Sequence, residues 1–371
     1  MDRYGGGRVS APTAPALHIA GTGTALPGDP VDNKTLGALY GISEEWIDLF
    51  VGTRTRHFGW DLDTGRPTHS LAGLCAEAAL KALYGAGLEP QDLDFVVLAT
   101  ATPDQLLPGT VNLVAELLGL DQLPTYQLQS GCAGSVQALD LARSLLASGH
   151  RTGLVLAGDA TGRFMDARGG NLDSLDVPTE QLVNYVLFGD GAGAAVVTAE
   201  PLGESVAVHG LLHRFAGLGR APGQVLGWHG TACPDPARRM LYEDYKAVEE
   251  SVPALASEIL WELLGTAGLA AADVDFLLPP QLSGRMTRRV TDTLGLPGAR
   301  EVSCVTDTGN VGNALPLIQL DLLVRELGPG QHALAVVVES SKWIKAGLVL
   351  RRDPGYDPFL EDGYGGEDGT V

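Results

Sequence analysis

The chain has 371 residues, 45% of them hydrophobic, and a formal net charge of −20. That length and apolar content suit one large domain or two fused halves around a substantial core. The charge argues against general binding to nucleic acid or to an anionic membrane; four cysteines (Cys75, Cys132, Cys233, Cys304), none in a CxxC pair, form no disulfide framework, and no metal site is expected.

Residues 1–15, with Gly5-Gly6-Gly7 and then Ala, Pro and Thr, read as a flexible leader. No basic segment leads into an apolar run, and no apolar stretch is long enough to span a bilayer. A reducing cytoplasm is the expected compartment, with no membrane and no nucleic acid as partner. From 16 to 352 strand and helix patterns alternate, which predicts an α/β fold, with halves at 16–200 and 201–352. Leu17 to Ala20 reads as a strand and Glu44 to Phe50 as a short helix carrying Trp46. Leu71 to Leu83 reads as an amphipathic helix and Phe95 to Thr100 as a buried strand.

The stretch from Tyr126 to Leu139 organises the rest. A short apolar segment ends at the small-residue elbow Ser130-Gly131-Cys132-Ala133-Gly134, and a helix is predicted from about Ala133. Cys132 then sits at a helix N-terminus, where unpaired N–H groups and the dipole favour a thiolate. Two readings of Cys132 stand at this point: a nucleophile, and a buried small hydrophobe. Gly153 to Ala157 is the next predicted strand. A polar loop follows over 163–180, then the run Phe188-Gly189-Asp190-Gly191-Ala192-Gly193-Ala194. Residues 353–371, rich in Asp, Glu and Gly, read as a disordered acidic tail.

An internal repeat decides the architecture. Leu83-Tyr84-Gly85-Ala86-Gly87-Leu88 leads into Asp92-Leu93-Asp94-Phe95-Val96-Val97-Leu98. Leu264-Gly265-Thr266-Ala267-Gly268-Leu269 leads into Asp273-Val274-Asp275-Phe276-Leu277-Leu278. Each copy continues into an elbow, a helix and a strand, the second strand being Ala333 to Val338. Two such halves predict a pseudo-twofold arrangement with the elbows at Cys132 and Asn310 facing one site.

These residues resemble the β-ketoacyl-acyl carrier protein (ACP) synthase III branch of the thiolase superfamily, over roughly 16–351. The markers are Glu45-Trp46-Ile47, Thr102-Pro103-Asp104, Gly131-Cys132-Ala133-Gly134, the Phe188–Ala194 run, Thr308-Gly309-Asn310 and Gly328-Pro329-Gly330-Gln331. The resemblance implies the five-layer αβαβα thiolase fold, a homodimer and a tunnel for a phosphopantetheine arm. That arm is borne by ACP or CoA, so no separate cofactor is implied. It also implies that Cys132 is acylated beside Asn310. The His that completes the family's site falls at Pro280, which has no ionisable group and no N–H. The turn that supplies a backbone donor to the thioester oxygen reads Glu339-Ser340-Ser341-Lys342-Trp343, with Ser341 nearest that position.

Other positions follow from the same resemblance. Trp46 falls where a residue stacks near the CoA adenine; a buried aromatic is the other reading. Phe50 stands where an Arg is frequent, which favours ACP-borne substrates. Leu106 and Leu107 fall in the loop that reaches the partner subunit's acyl pocket. Arg285, Arg288 and Arg289 fall where acidic ACP docks; a solvated helix face is the alternative. No replacement base stands out: His213 and His229 lie in a glycine-rich connection, Asp307 suits a turn cap, and Glu339 enters the site only in one of two registers that the sequence leaves open. Cys75 and Cys304 read as structural, and Cys233 has no assigned role.

Losing one of two enolate donors typically costs about 2.7–4 kcal/mol, or roughly 10²–10³ in rate. Decarboxylative condensation is therefore disfavoured. The expected activity is an acyltransferase that forms acyl-Cys132 and passes the acyl group to an oxygen, nitrogen or sulfur acceptor, in specialised metabolism. A second reading is a C–C-forming condensing enzyme using an already acidic carbon, such as that of a β-ketoacyl thioester. A third is a non-catalytic subunit paired with an active homologue.

Overall fold

The computed structural model describes residues 17–164, 179–227 and 241–352. The leader, the acidic tail, most of the 163–180 loop, His229 and Cys233 lie outside the described residues.

Ten strands form one sheet: β1 (His18–Ala25), β2 (Phe95–Thr100), β3 (Thr125–Gln129), β4 (Thr152–Ala160), β5 (Asp190–Thr198), β6 (Val206–Phe215), β7 (Phe276–Leu278), β8 (Arg300–Glu301), β9 (His332–Glu339) and β10 (Ile344–Arg352). Their order is β3-β2-β4-β5-β1-β6-β10-β9-β7-β8. The second five strands repeat the arrangement of the first five. Within the sheet the halves join where His18 and Ile19 of β1 pair with Ala207 and Val206 of β6.

The repeat extends to individual hydrogen bonds. Helix α1 (Leu71–Ala86) stops at Gly87 (φ 67°) and helix α3 (Tyr245–Ala267) at Gly268 (φ 68°). The Asp92 carboxylate then accepts from Glu89 N (2.9 Å), as Asp273 does from Ala270 N (2.7 Å). Asp94 accepts from Thr152 N at the start of β4, and Asp275 from His332 N at the start of β9. Helix α1 runs one turn past the predicted Leu83, carrying Gly85 within it, and ends where Gly87 takes the left-handed conformation.

Strand alternation sorts the core into layers. Phe95, Val97 and Ala99 face inward with Ala333, Ala335 and Val337, and enclose the central helices α2 (Gly134–Ala147) and α5 (Leu315–Leu323). Val96 and Leu98 pack outward on α1. Leu334, Val336 and Val338 pack outward on α3 and on α4 (Gly284–Leu294). The result is the five-layer αβαβα thiolase fold. In β5 the small-residue run lets α5 lie close: a Cβ on Gly193 would come 2.6 Å from Leu317 Cβ. Among the described residues, no helix is long and apolar enough to cross a membrane.

Candidate active site

Helix α2 begins one residue past the expected start, with Ala133 as its N-cap. Ser130, Gly131 and Cys132 form the elbow between β3 and α2, and a hydrogen bond from Gly134 N to Gly131 O (2.8 Å) tightens it. Gly134 is required by a close approach: a Cβ there would fall 2.0 Å from Asn313 Oδ1. Cys132 is half-buried, whereas Cys75 and Cys304 are buried. It lines a chamber of about 330 Å³ with Leu106, Asp159, Phe188, Gln224, Glu339 and Ser341.

The thiolate expected from the helix N-terminus does not hold. A carboxylate already occupies that terminus. Glu339, at the end of β9 and 5% exposed, accepts from Ala133 N (3.2 Å) through Oε2. Ser130 Oγ lies 3.2 Å from the same oxygen and 2.6 Å from Gln137 Oε1. Ser341 Oγ donates to Glu339 Oε1. Burial, and then the charges of Glu339, Asp159 and Glu243, push the Cys132 thiol well above its ordinary range. The dipole's favourable effect is spent on Glu339 rather than on sulfur.

A second buried carboxyl fixes the two elbows to each other. Asp159, at the end of β4, accepts from Thr100 Oγ1, Ala101 N and Thr102 Oγ1 on one oxygen, and from Asn313 N (2.8 Å) and Nδ2 (2.9 Å) on the other. Asn313 Nδ2 also lies 2.7 Å from Ser130 O. Sequence reasoning missed both residues. The signal was present in Gly158-Asp159-Ala160, a charged residue closing an apolar strand.

Cys132 and Asn310 line adjoining cavities rather than one. Asn310 lies in a neighbouring cleft of about 440 Å³, with Phe50, Glu243, Tyr245, Arg285 and Arg289. Phe188, which lines the Cys132 chamber, is bridged to Asn310. Asn310 Oδ1 accepts from the N–H of Gly312, another chamber residue (3.0 Å). Glu243 pairs across a short hairpin with Gln224 of the chamber. Glu243 is buried, and burial raises its carboxyl to about 7 against the Tyr245 hydroxyl, which lowers it. It was also missed from sequence.

At the cleft mouth Trp46 stacks on the exposed Phe50, ring centres 5.1 Å apart. Arg285, Arg288 and Arg289 are exposed on α4, and Arg289 pairs with Glu249. Leu106 borders the Cys132 chamber of its own chain, and Leu107 is 86% exposed. Pro280 is buried and lines, with Cys132, a second, small cavity apart from the chamber. His213 lies on β6, not in a loop, with Nδ1 3.4 Å from Asp140, and lines neither cavity. Asp307 is exposed and paired with Arg54.

Two like half-sheets closing over a cysteine elbow form the architecture of thiolase-fold acyltransferases. Comparison with known proteins narrows the class. The 3-oxoacyl-ACP synthase III family matches at residues 126–210, and its C-terminal counterpart at 264–340. The β-ketoacyl-ACP synthase III of Rhizorhabdus wittichii is 32% identical over 309 residues, 83% of this chain and 90% of that relative. Among solved structures, AbyA1, a tetronic acid condensing enzyme, is 49% identical with a TM-score of 0.86, covering 90% of this chain and 99% of its own. The 3-oxoacyl-ACP synthase III of Pseudomonas aeruginosa PAO1 is 27% identical with a TM-score of 0.75, covering 92% and 100%. The priming β-ketosynthase of the R1128 polyketide pathway is 27% identical with a TM-score of 0.77, covering 94% and 100%. The chain belongs to the β-ketoacyl-ACP synthase III family and is an acyltransferase.

Proposed function

We propose that this enzyme loads an acyl group from a carrier-borne thioester onto Cys132 and passes it to a nucleophile that needs no decarboxylation. The carrying observation is Pro280: beside the elbow, where the resemblance places an imidazole, stands a side chain with nothing to donate. An enolate made by CO₂ loss would have Asn310 alone to hold its charge. The carbon between the two carbonyls of a β-ketoacyl thioester is already acidic and avoids that step. A relative that is a tetronic acid condensing enzyme supports this acceptor. A tetronic acid is a five-membered lactone of a β-keto acid, so its assembly calls for one C–C bond and one ring-closing C–O bond. The first expectation from sequence is transfer to an oxygen, nitrogen or sulfur acceptor; of these, oxygen would serve the ring-closing half of the same chemistry. In this reading Ser341 N–H and Cys132 N–H form the oxyanion site, Asn310 polarises the acceptor, and the pantetheine arm enters past Trp46 and Phe50.

Intact-mass spectrometry with a panel of acyl-ACPs tests the reading. One acyl mass should appear on the wild type and none on Cys132→Ala. An adduct mapped to Cys75 or Cys304 would sink the assignment, and no adduct at all would favour a non-catalytic subunit. Malonyl-ACP should lose CO₂ no faster with wild type than with Cys132→Ala. Release at ordinary enzyme rates would restore decarboxylative condensation.

A further inference from the structure

We propose that Glu339 is the proton acceptor of this site, taking the Cys132 thiol proton as the acyl group arrives and returning a proton to the departing thiol. The proposal rests on the acyl-Cys132 reading and supplies the base that reading lacks. Alternation along β9 places Glu339 on the face of Ala333, Ala335 and Val337, toward the central layer where α2 begins. Its carboxylate packs against the elbow: a Cβ on Gly131 would come 3.0 Å from Glu339 Cδ. Ala133 N–H and Ser341 O–H fix its orientation.

Elimination points the same way. Among the described residues, the titratable side chains lining the chamber are Cys132, Asp159 and Glu339. Asp159 has both oxygens committed to five donors, two of them from Asn313. Glu243 faces the Asn310 cleft, and His213 lies elsewhere, beside Asp140. The need is real as well. Burial and the facing charges of Glu339, Asp159 and Glu243 keep the resting sulfur as a thiol, so it must lose its proton during attack.

The protons balance in both half-reactions. In the first, Glu339 carboxylate takes the S–H proton while sulfur attacks the thioester carbonyl. The bond between the acyl carbon and the carrier's sulfur then breaks, and the carrier leaves as a thiol with the proton from Glu339. In the second, Glu339 takes the proton of the acceptor C–H or O–H, and the new bond forms at the acyl carbon. Cys132 leaves and is reprotonated. No oxidant, metal or CO₂ loss enters.

A cap that merely satisfies Ala133 N–H is the competing role, and Glu339→Gln separates the two because an amide oxygen still accepts that hydrogen bond. The probe is S-acetyl-N-acetylcysteamine, read by intact mass from pH 6 to 10. Wild type should acylate at a rate that does not climb in proportion to hydroxide. Glu339→Gln should be slower by roughly 10²-fold at pH 7, within the range for general base catalysis, and should climb in proportion to hydroxide. Glu339→Asp should recover part of the rate. If Glu339→Gln acylates within about threefold of wild type with the same pH profile, the assignment is overturned while the acyl-Cys132 reading stands. If wild type gains no acyl mass, both fall. Should the variant fail to fold, a wild-type rate that rises with hydroxide up to pH 10 overturns the assignment by itself.

Discussion

Glu243 shows how far one buried side chain can bend stability with pH. Burial raises its carboxyl from 4.5 to about 7. Between those values the folded chain keeps a proton that the unfolded chain has released. Stability therefore falls as pH rises across that window and is level above it. Glu243→Gln keeps an acceptor for Tyr245 and removes the titration. The variant should be more stable than wild type by about 1–3 kcal/mol at pH 8 and within about 0.5 kcal/mol at pH 4.5. Urea unfolding at the two pH values measures this; an equal gain at both would assign the difference to packing. Single residues were also the hardest to read from sequence. Cys132, Asn310 and Pro280 could be singled out in the sequence because motifs surround them. Glu339 was not placed, because a one-residue slip in register turns a side chain to the opposite face. The count from Ala333 through Ala335 and Val337 would have settled it.

At the scale of elements, helix α4 carries the clearest prediction. Arg285 and Arg289 border the Asn310 cleft, and Arg288 is exposed beside them. An acidic carrier approaching that mouth would meet this helix first. Among the described residues Arg289 pairs with Glu249 while Arg285 and Arg288 have no acidic partner, so the positive charge rests mainly on those two. Reversing all three should raise KM for acyl-ACP by about tenfold or more at low salt and flatten its salt dependence. Acylation by S-acetyl-N-acetylcysteamine should be nearly unchanged. Equal losses with both donors would make the arginines structural. The helices and long strands themselves were legible to within a few residues, since Gly87 and Gly268 end their helices where a left-handed residue is needed. The strand bearing His213 was read as a loop, because its small and polar residues hide the pairing with β10 that defines it.

The whole molecule was the most legible level, because its two halves were written twice: Asp94 and Asp275 hold equivalent strands with equivalent bonds. The sheet's ends differ, however. One edge is β8, two exposed charged residues, a form that resists further pairing. The other is β3, five uncharged residues with Tyr126 exposed. A second copy pairing at β3 would account for the homodimer that the family resemblance implies. Sedimentation velocity should then show a dimer for wild type and a shift to monomer for Tyr126→Asp; an unchanged dimer would place the interface elsewhere. The bond between Glu339 and Ala133 N–H joins groups 206 residues apart in the chain. At about 5–20 residues per second on the ribosome, roughly 10–40 s pass between translation of the cysteine elbow and translation of its carboxylate. Throughout that interval a nascent chain can present Cys132 to cellular thioesters without the group proposed to take its proton. If Glu339 takes that proton, order of translation would keep an unfinished enzyme from capturing substrate.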